Sequence, residues 1–402
     1  MALALLRSAP RADTRLVRRF LTILICTLLF AAPAAAGGSL HVPALTRIAS
    51  KLSGLRAKSR PKVVVLQKEA MQQQAIRLLD RDYPPEQQAY DETLYRALGL
   101  LADGQTLRPS LVQQANAALG RYDALRRTVY LRAGSTQRRT LLRELVHALQ
   151  DQRFGLRRLS GLRNGQRDAA IAATAATDAH ATFSTGDRLG LAGVARSGSP
   201  LGTFLALEAG FPTTTGVGFI STLQNLGGKR AIFTALSRFP TTSEQILHID
   251  AFLGREPAIP ISLPTAIGKF GRAREDTFGE LDVRSLLAAF GVPGRDRVGT
   301  GWGGGRTGVY RDPPARQAVV LALDWDEVVD ADQWTEAVAA YVNDAFAVDR
   351  PGVPETTPCS ATACWSVGGR EIAFHRDGVR TAVVFGPTVA DAATIAQETV
   401  SN

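Results

Sequence analysis

Cysteine is scarce, with three in 402 residues, and only Cys359 and Cys364 lie beyond the first 36 positions. No histidine stands beside them at ligand spacing, which speaks against a thiolate metal site. An oxidising compartment would let the pair close a small disulfide loop, and two free buried thiols are the alternative. Beyond residue 36 there is no hydrophobic run long enough to span a bilayer, which excludes a polytopic membrane protein. Repetitive Gly-Pro or low-complexity stretches are also lacking, which excludes collagen-like and disordered classes; at 45% apolar and 21% charged residues the chain can build one large or two medium domains. Aromatics do not interleave with the basic residues, so nucleic acid is a poor partner.

The formal charge is +10, from 47 Lys and Arg against 37 Asp and Glu. Five arginines against Asp13 place +4 of it in the first 36 residues, leaving +6. That first segment has an Arg-rich start, an apolar run from Phe20 to Phe30 and Ala34-Ala35-Ala36 before Gly37, the pattern of a signal peptide over 1–36. The alternative is an uncleaved anchor over Phe20 to Ala36. Cleavage predicts an exported protein, extracellular or in the cell envelope.

Residues 37–60 are basic and acid-free, and are expected to be a flexible tether. A strand is expected at Val63 to Leu66, then helices around Lys68 to Asp80 and Pro85 to Leu101. Gly120 to Arg132 reads as a hairpin turning near Ala124. Ser135 or Thr136 is expected to cap a helix that runs to Phe154 and stops at Gly155. From about Val298 the pattern gives strands and helices joined by short turns, an antiparallel layer with helices on one face. The predicted class is α+β, with a first domain over 61–295 and a C-terminal α+β domain over 296–402.

The helix before Gly155 carries Arg143-Glu144-Leu145-Val146-His147-Ala148-Leu149-Gln150-Asp151-Gln152. Leu141, Leu142, Leu145, Val146 and Leu149 form its apolar stripe. Arg143, Glu144, His147 and Asp151 share the other side, because residues three and four apart lie on one face. A His-Glu-x-x-His zinc helix uses that geometry: two imidazoles one turn apart grip the metal and the Glu activates water. Here Arg143 stands where the first His would be. A guanidinium has no lone pair for a metal, stays protonated, and can instead pair with Glu144 or Asp178.

With this helix, Tyr122-Asp123, the Pro240 to His248 run, Gly279-Glu280, Gly301-Trp302-Gly303-Gly304, and Trp325-Asp326 with Asp330-Ala331, the chain resembles a family of exported bacterial zinc metallopeptidase-like proteins over residues 61–345. The resemblance implies a zincin-like fold in which Glu144 matches the general base, His147 a metal ligand and Asp178 the acidic third ligand. It departs at Arg143, at Asp178 where a Glu is usual, at Gly305 where an acid usually follows the Trp302 box, and at Ile249 in place of Pro. The departures fall on the chemistry, which implies a degenerate, non-catalytic site with no cofactor. The alternative is an active zinc hydrolase whose ligand set is completed by His180 or His248. Glu244 and His248, four apart on an expected helix, are a second acidic-imidazole pair for the cleft.

Residues 121–167 hold twelve Arg against Asp123, Glu144 and Asp151. Such a concentration can bind an anionic cell-surface polymer or lipid headgroups, beside a peptide as the other possible partner, and an Arg-rich composition is the plainer account.

Overall fold

The computed structural model describes residues 41–134, 138–162, 164–186, 198–346 and 358–401. The expected signal peptide and the Ser135 or Thr136 cap lie outside the described residues. Residues 42–402 form one compact unit.

Within the segment expected to be a tether, the described residues form a helix, α1 (Val42–Ser53). Its Leu45 and Ala49 are buried in one cluster with Leu141, Leu145 and Leu149. The basic residues that suggested a tether sit between these apolar positions, so the segment is amphipathic and buries one side. Then come β1 (Lys62–Leu66), α2 (Lys68–Asp82), α3 (Pro85–Ala97) and α4 (Arg108–Ala117). The hairpin follows as β2 (Gly120–Asp123) and β3 (Thr128–Arg132). β1 lies parallel to β3 and β2 antiparallel to it, in the order β1-β3-β2, so β2 is an edge strand.

Helix α5 (Arg138–Phe154) packs on this sheet and ends at Gly155, whose φ of 72° gives the left-handed stop. After it come α6 (Arg167–Thr185), α7 (Pro200–Gly210) and α8 (Val217–Ser237), then the short α9 (Glu244–Leu247) and α10 (Ile249–Gly254). The remaining elements are β4 (Ala266–Ile267), β5 (Phe270–Thr277), α11 (Glu280–Ala289), α12 (Arg295–Thr300), β6 (Trp302–Asp312), β7 (Arg316–Trp325), α13 (Val328–Phe346), β8 (Ala363–Val367), β9 (Arg370–Asp377), β10 (Arg380–Gly386) and α14 (Val389–Ser401).

The seven later strands form one antiparallel sheet, ordered β4-β5-β6-β7-β10-β9-β8. The class is α+β, as the pattern predicts. Two details differ from expectation. The sheet starts at Ala266, and a single apolar cluster joins Leu94 of α3 and Leu286 of α11 to Leu321 and Phe385, so the core runs across the expected boundary at 295/296. Helices also cover both faces of the sheet: Val319, Leu321 and Leu323 meet Trp334 and Val338 of α13, while Ala318, Val320 and Ala322 meet Ile395 and Ala396 of α14. A strand buried on both sides reads as an unbroken apolar run, which hides the second covered face from a periodicity argument. Cys359 and Cys364 are bridged as a disulfide at the edge of this sheet, with Cα atoms 6.2 Å apart. Among the described residues no helix is long and apolar enough to cross a membrane.

Candidate functional site

Helix α5 is buried all round over Thr140 to Asp151, so the side carrying Arg143, Glu144 and His147 is covered as well as the leucine side. β2 covers it near Glu144. Gly120 permits the close approach, because a Cβ there would stand 2.9 Å from Thr140 Cγ2 and 3.2 Å from Glu144 Cγ. The edge strand's Tyr122 N–H donates to Glu144 Oε2 at 2.7 Å. Arg143 Nη2 donates to Glu144 Oε1, also at 2.7 Å. The arginine is 8% exposed and the glutamate 2%, so the pair is shielded from water and both carboxylate oxygens are engaged.

His147 lies one turn on. Its Nε2 stands 3.3 Å from Asp178 Oδ1 on α6, and its Nδ1 is 2.9 Å from Gln150 Oε1. Gln150 Nε2 donates to the Thr177 carbonyl and faces His180 Nδ1, both at 2.9 Å. The amide orientation sets the ring assignments: His180 Nδ1 accepts, and His147 Nδ1–H donates, leaving Nε2 directed at Asp178. Burial pushes the His180 imidazole down to about 4, so at neutral pH it is an uncharged member of this chain. Asp178 therefore joins His147, while His180 touches it only through Gln150. Gln150 was not singled out from the sequence, although its position three residues after His147 on one helix was the available signal.

His248 does not belong to this group. α9 is a single turn, and His248 follows it in extended backbone, so the expected helical face shared with Glu244 is not formed. A tertiary contact sits at its start: Ser243 N–H donates to the Asp168 carboxylate of α6 at 3.1 Å, and only one turn closes before the chain passes into α10. His248 Nε2 instead meets Glu280 Oε1 at 3.0 Å, and Arg284 Nε donates to the same oxygen at 2.8 Å. Burial, then the charges of Glu280, Glu256 and Asp326, pushes the Glu244 carboxyl up to about 8. Four of the sequence landmarks converge here. Asp326 N–H donates to the Gly301 carbonyl at 2.9 Å, and Trp302 Nε1 donates to the Phe278 carbonyl at 3.1 Å. This is a second acidic cluster, built where the sheet meets α9 and α11.

A further buried network was not legible in the sequence. Arg167, at the start of α6, holds Glu208 at 2.7 Å and Asp282 at 3.3 Å. One turn of α6 after another then presents Arg167, Ile171, Thr174 and Asp178 to a cavity of about 270 Å³.

The residues present do not make a zinc site. His147 Nε2 and Asp178 Oδ1 stand as close as two ligands of one metal would, but the third position is a guanidinium locked to Glu144. Two donors fall short of the three protein ligands of a catalytic zinc site, so the set does not fit. Among the described residues no group of three or more His, Cys, Asp or Glu side chains could hold a metal ion.

Residues 266–396 match the model of a domain of unknown function, DUF8575. The matched span begins at β4 and ends within α14, and so coincides with the seven-stranded sheet and its helices. No curated protein and no solved structure matches the chain.

Proposed function

We propose that this is an exported, metallopeptidase-like protein whose metal site is degenerate, and that it acts as a binding or accessory protein at the cell surface and not as a hydrolase. The observation that carries the reading is the state of Glu144. A general base must reach a water and accept its proton, and here one carboxylate oxygen is held by Arg143 and the other by the Tyr122 amide. The same amide belongs to an edge strand, where an extended peptide would otherwise add by main-chain pairing. The Cys359–Cys364 bridge fits an oxidising compartment and so supports export. Exposure of Arg126, Arg127, Arg138 and Arg139 supports an anionic surface polymer or headgroup as one partner.

Metal analysis of the purified protein after equilibration with zinc tests the reading. The expected result is no stoichiometric metal and no peptide cleavage. One zinc per chain, lost in His147→Ala, would establish the active hydrolase with an altered ligand set instead.

A further inference from the structure

Asp178 has two neighbourhoods. On one side is His147; on the other is the 270 Å³ cavity between α2, α3, α4, α6 and α7, which Asp178 helps to line. Much of the wall is apolar, including Leu107, Leu111, Ile171 and Phe211. Its charged groups are Asp82, Asp91, Asp178 and Glu208 against Arg121 and Arg167.

The pairing among these groups decides which charge is left for a ligand. Arg167 is matched by Glu208 and Asp282. Arg121 reaches Asp82 at 3.4 Å, and Asp82 also takes Arg81 Nε at 2.7 Å. Asp91 is buried and bonded by the Tyr83 hydroxyl and by Gln87 Nε2. Asp178 alone among the four carboxyls has no arginine or deep burial: its side chain is 24% exposed, and its polar neighbour is His147 Nε2 at 3.3 Å. The carboxyls of the wall outnumber its arginines four to two, and each arginine already faces a carboxylate, so the wall favours a cation over an anion. The cavity is also smaller than the ~300–1,000 Å³ of sites for drug-sized ligands, and suits one side chain or a small amine.

We propose that this cavity is a binding site for a primary ammonium or guanidinium on an apolar stem, with the cation at Asp178 and the stem against Leu107, Leu111 and Ile171. This rests on the non-catalytic reading above, since it gives Asp178 a ligand other than a metal. The cation can come from a lysine or arginine side chain of a polypeptide or from a free alkyl amine.

Calorimetric titration of the purified protein with hexylamine, hexanol, hexanoate and Nα-acetyl-lysine methylamide separates the cases. Hexylamine is expected to bind at least about tenfold more tightly than hexanol, because the alcohol leaves the Asp178 charge uncompensated, and hexanoate is expected to bind weakest. Asp178→Asn should bring the amine down to the alcohol, and Asp178→Glu should keep the preference. Leu111→Trp, which fills the cavity away from the carboxylate, should remove both ligands with an unchanged circular dichroism spectrum. Comparable binding of the acetyl-lysine amide would mark a polypeptide side chain as the source, and binding of hexylamine alone a free amine. Equal affinity for amine and alcohol, or an amine preference that survives Asp178→Asn, would overturn the proposal. Stoichiometric zinc on the wild type would instead overturn the non-catalytic reading, whatever the amines do.

Discussion

At the residue scale, Arg143 and Glu144 form a buried ion pair. Removing Arg143 leaves the Glu144 carboxylate buried with only the Tyr122 amide on it, so Arg143→Ala is expected to destabilise the protein by about 3 kcal/mol in chemical denaturation. Double replacement, Arg143→Leu with Glu144→Leu, should recover much of that loss. A single substitution with no cost would mean that the pair is solvated. Glu244 makes a second prediction. Its carboxyl is raised to about 8, first by burial and then by Glu280, Glu256 and Asp326, with His248 and Arg284 held on the far side by Glu280. An acid whose folded value lies above its unfolded one binds a proton on folding, so its contribution is lost as pH rises from the unfolded toward the folded value. Glu244→Gln should therefore gain stability over the wild type progressively between about pH 5 and about pH 8. Parallel melting curves for the two proteins across that range would contradict the assignment.

At the scale of elements, helix α1 is the clearest test of how the first basic stretch behaves. Leu45 is buried against α5, so Leu45→Ala is expected to cost about 2–3 kcal/mol. A flexible tether would show no change. The sequence pattern located the strand, the hairpin and α5 with its Gly155 stop, because each carries a local signal: β-branched runs, a turn, a glycine in the left-handed region. It missed α1, because Arg47 and Lys51 continue through Arg56, Lys58 and Arg60 with no acid between them, the composition of a tether. Nor does the pattern show that the Arg143, Glu144 and His147 side of α5 lies under β2 and α6. The candidate site was partly legible for the same reason. Arg143, Glu144 and His147 are close in sequence and their geometry follows from one helix, and Asp178 came from the resemblance. Gln150 and the Arg167 network depend on which helices meet, and no local pattern encodes that.

At the scale of the molecule, several carboxyls are raised by burial: Asp168 to about 7, and Asp91, Asp282 and Asp326 to about 6. Their signs agree with that of Glu244. His180, held down at about 4, acts oppositely, costing stability as pH falls below its ordinary value. The acids outnumber it, so the melting temperature is expected to fall between about pH 5.5 and about pH 8. A rising or flat profile would mean that these carboxyls are ionised in the fold without penalty. The disulfide at the sheet edge is checked by intact mass, with and without reductant, before and after alkylation. Two alkylatable thiols in the native protein would contradict it.

On the reading proposed above, Arg143 is the residue that keeps this site from holding a metal, since His147 Nε2 and Asp178 Oδ1 already lie 3.3 Å apart. The most direct measurement is the zinc stoichiometry of Arg143→His beside the wild type. Two imidazoles at i and i+4 with an acid complete the three protein ligands that a zinc site requires. The substituted protein is expected to hold one zinc where the wild type holds none, and to lose it again when His147→Ala is added. Equal zinc content in Arg143→His and the wild type, or zinc that survives His147→Ala, would contradict the account.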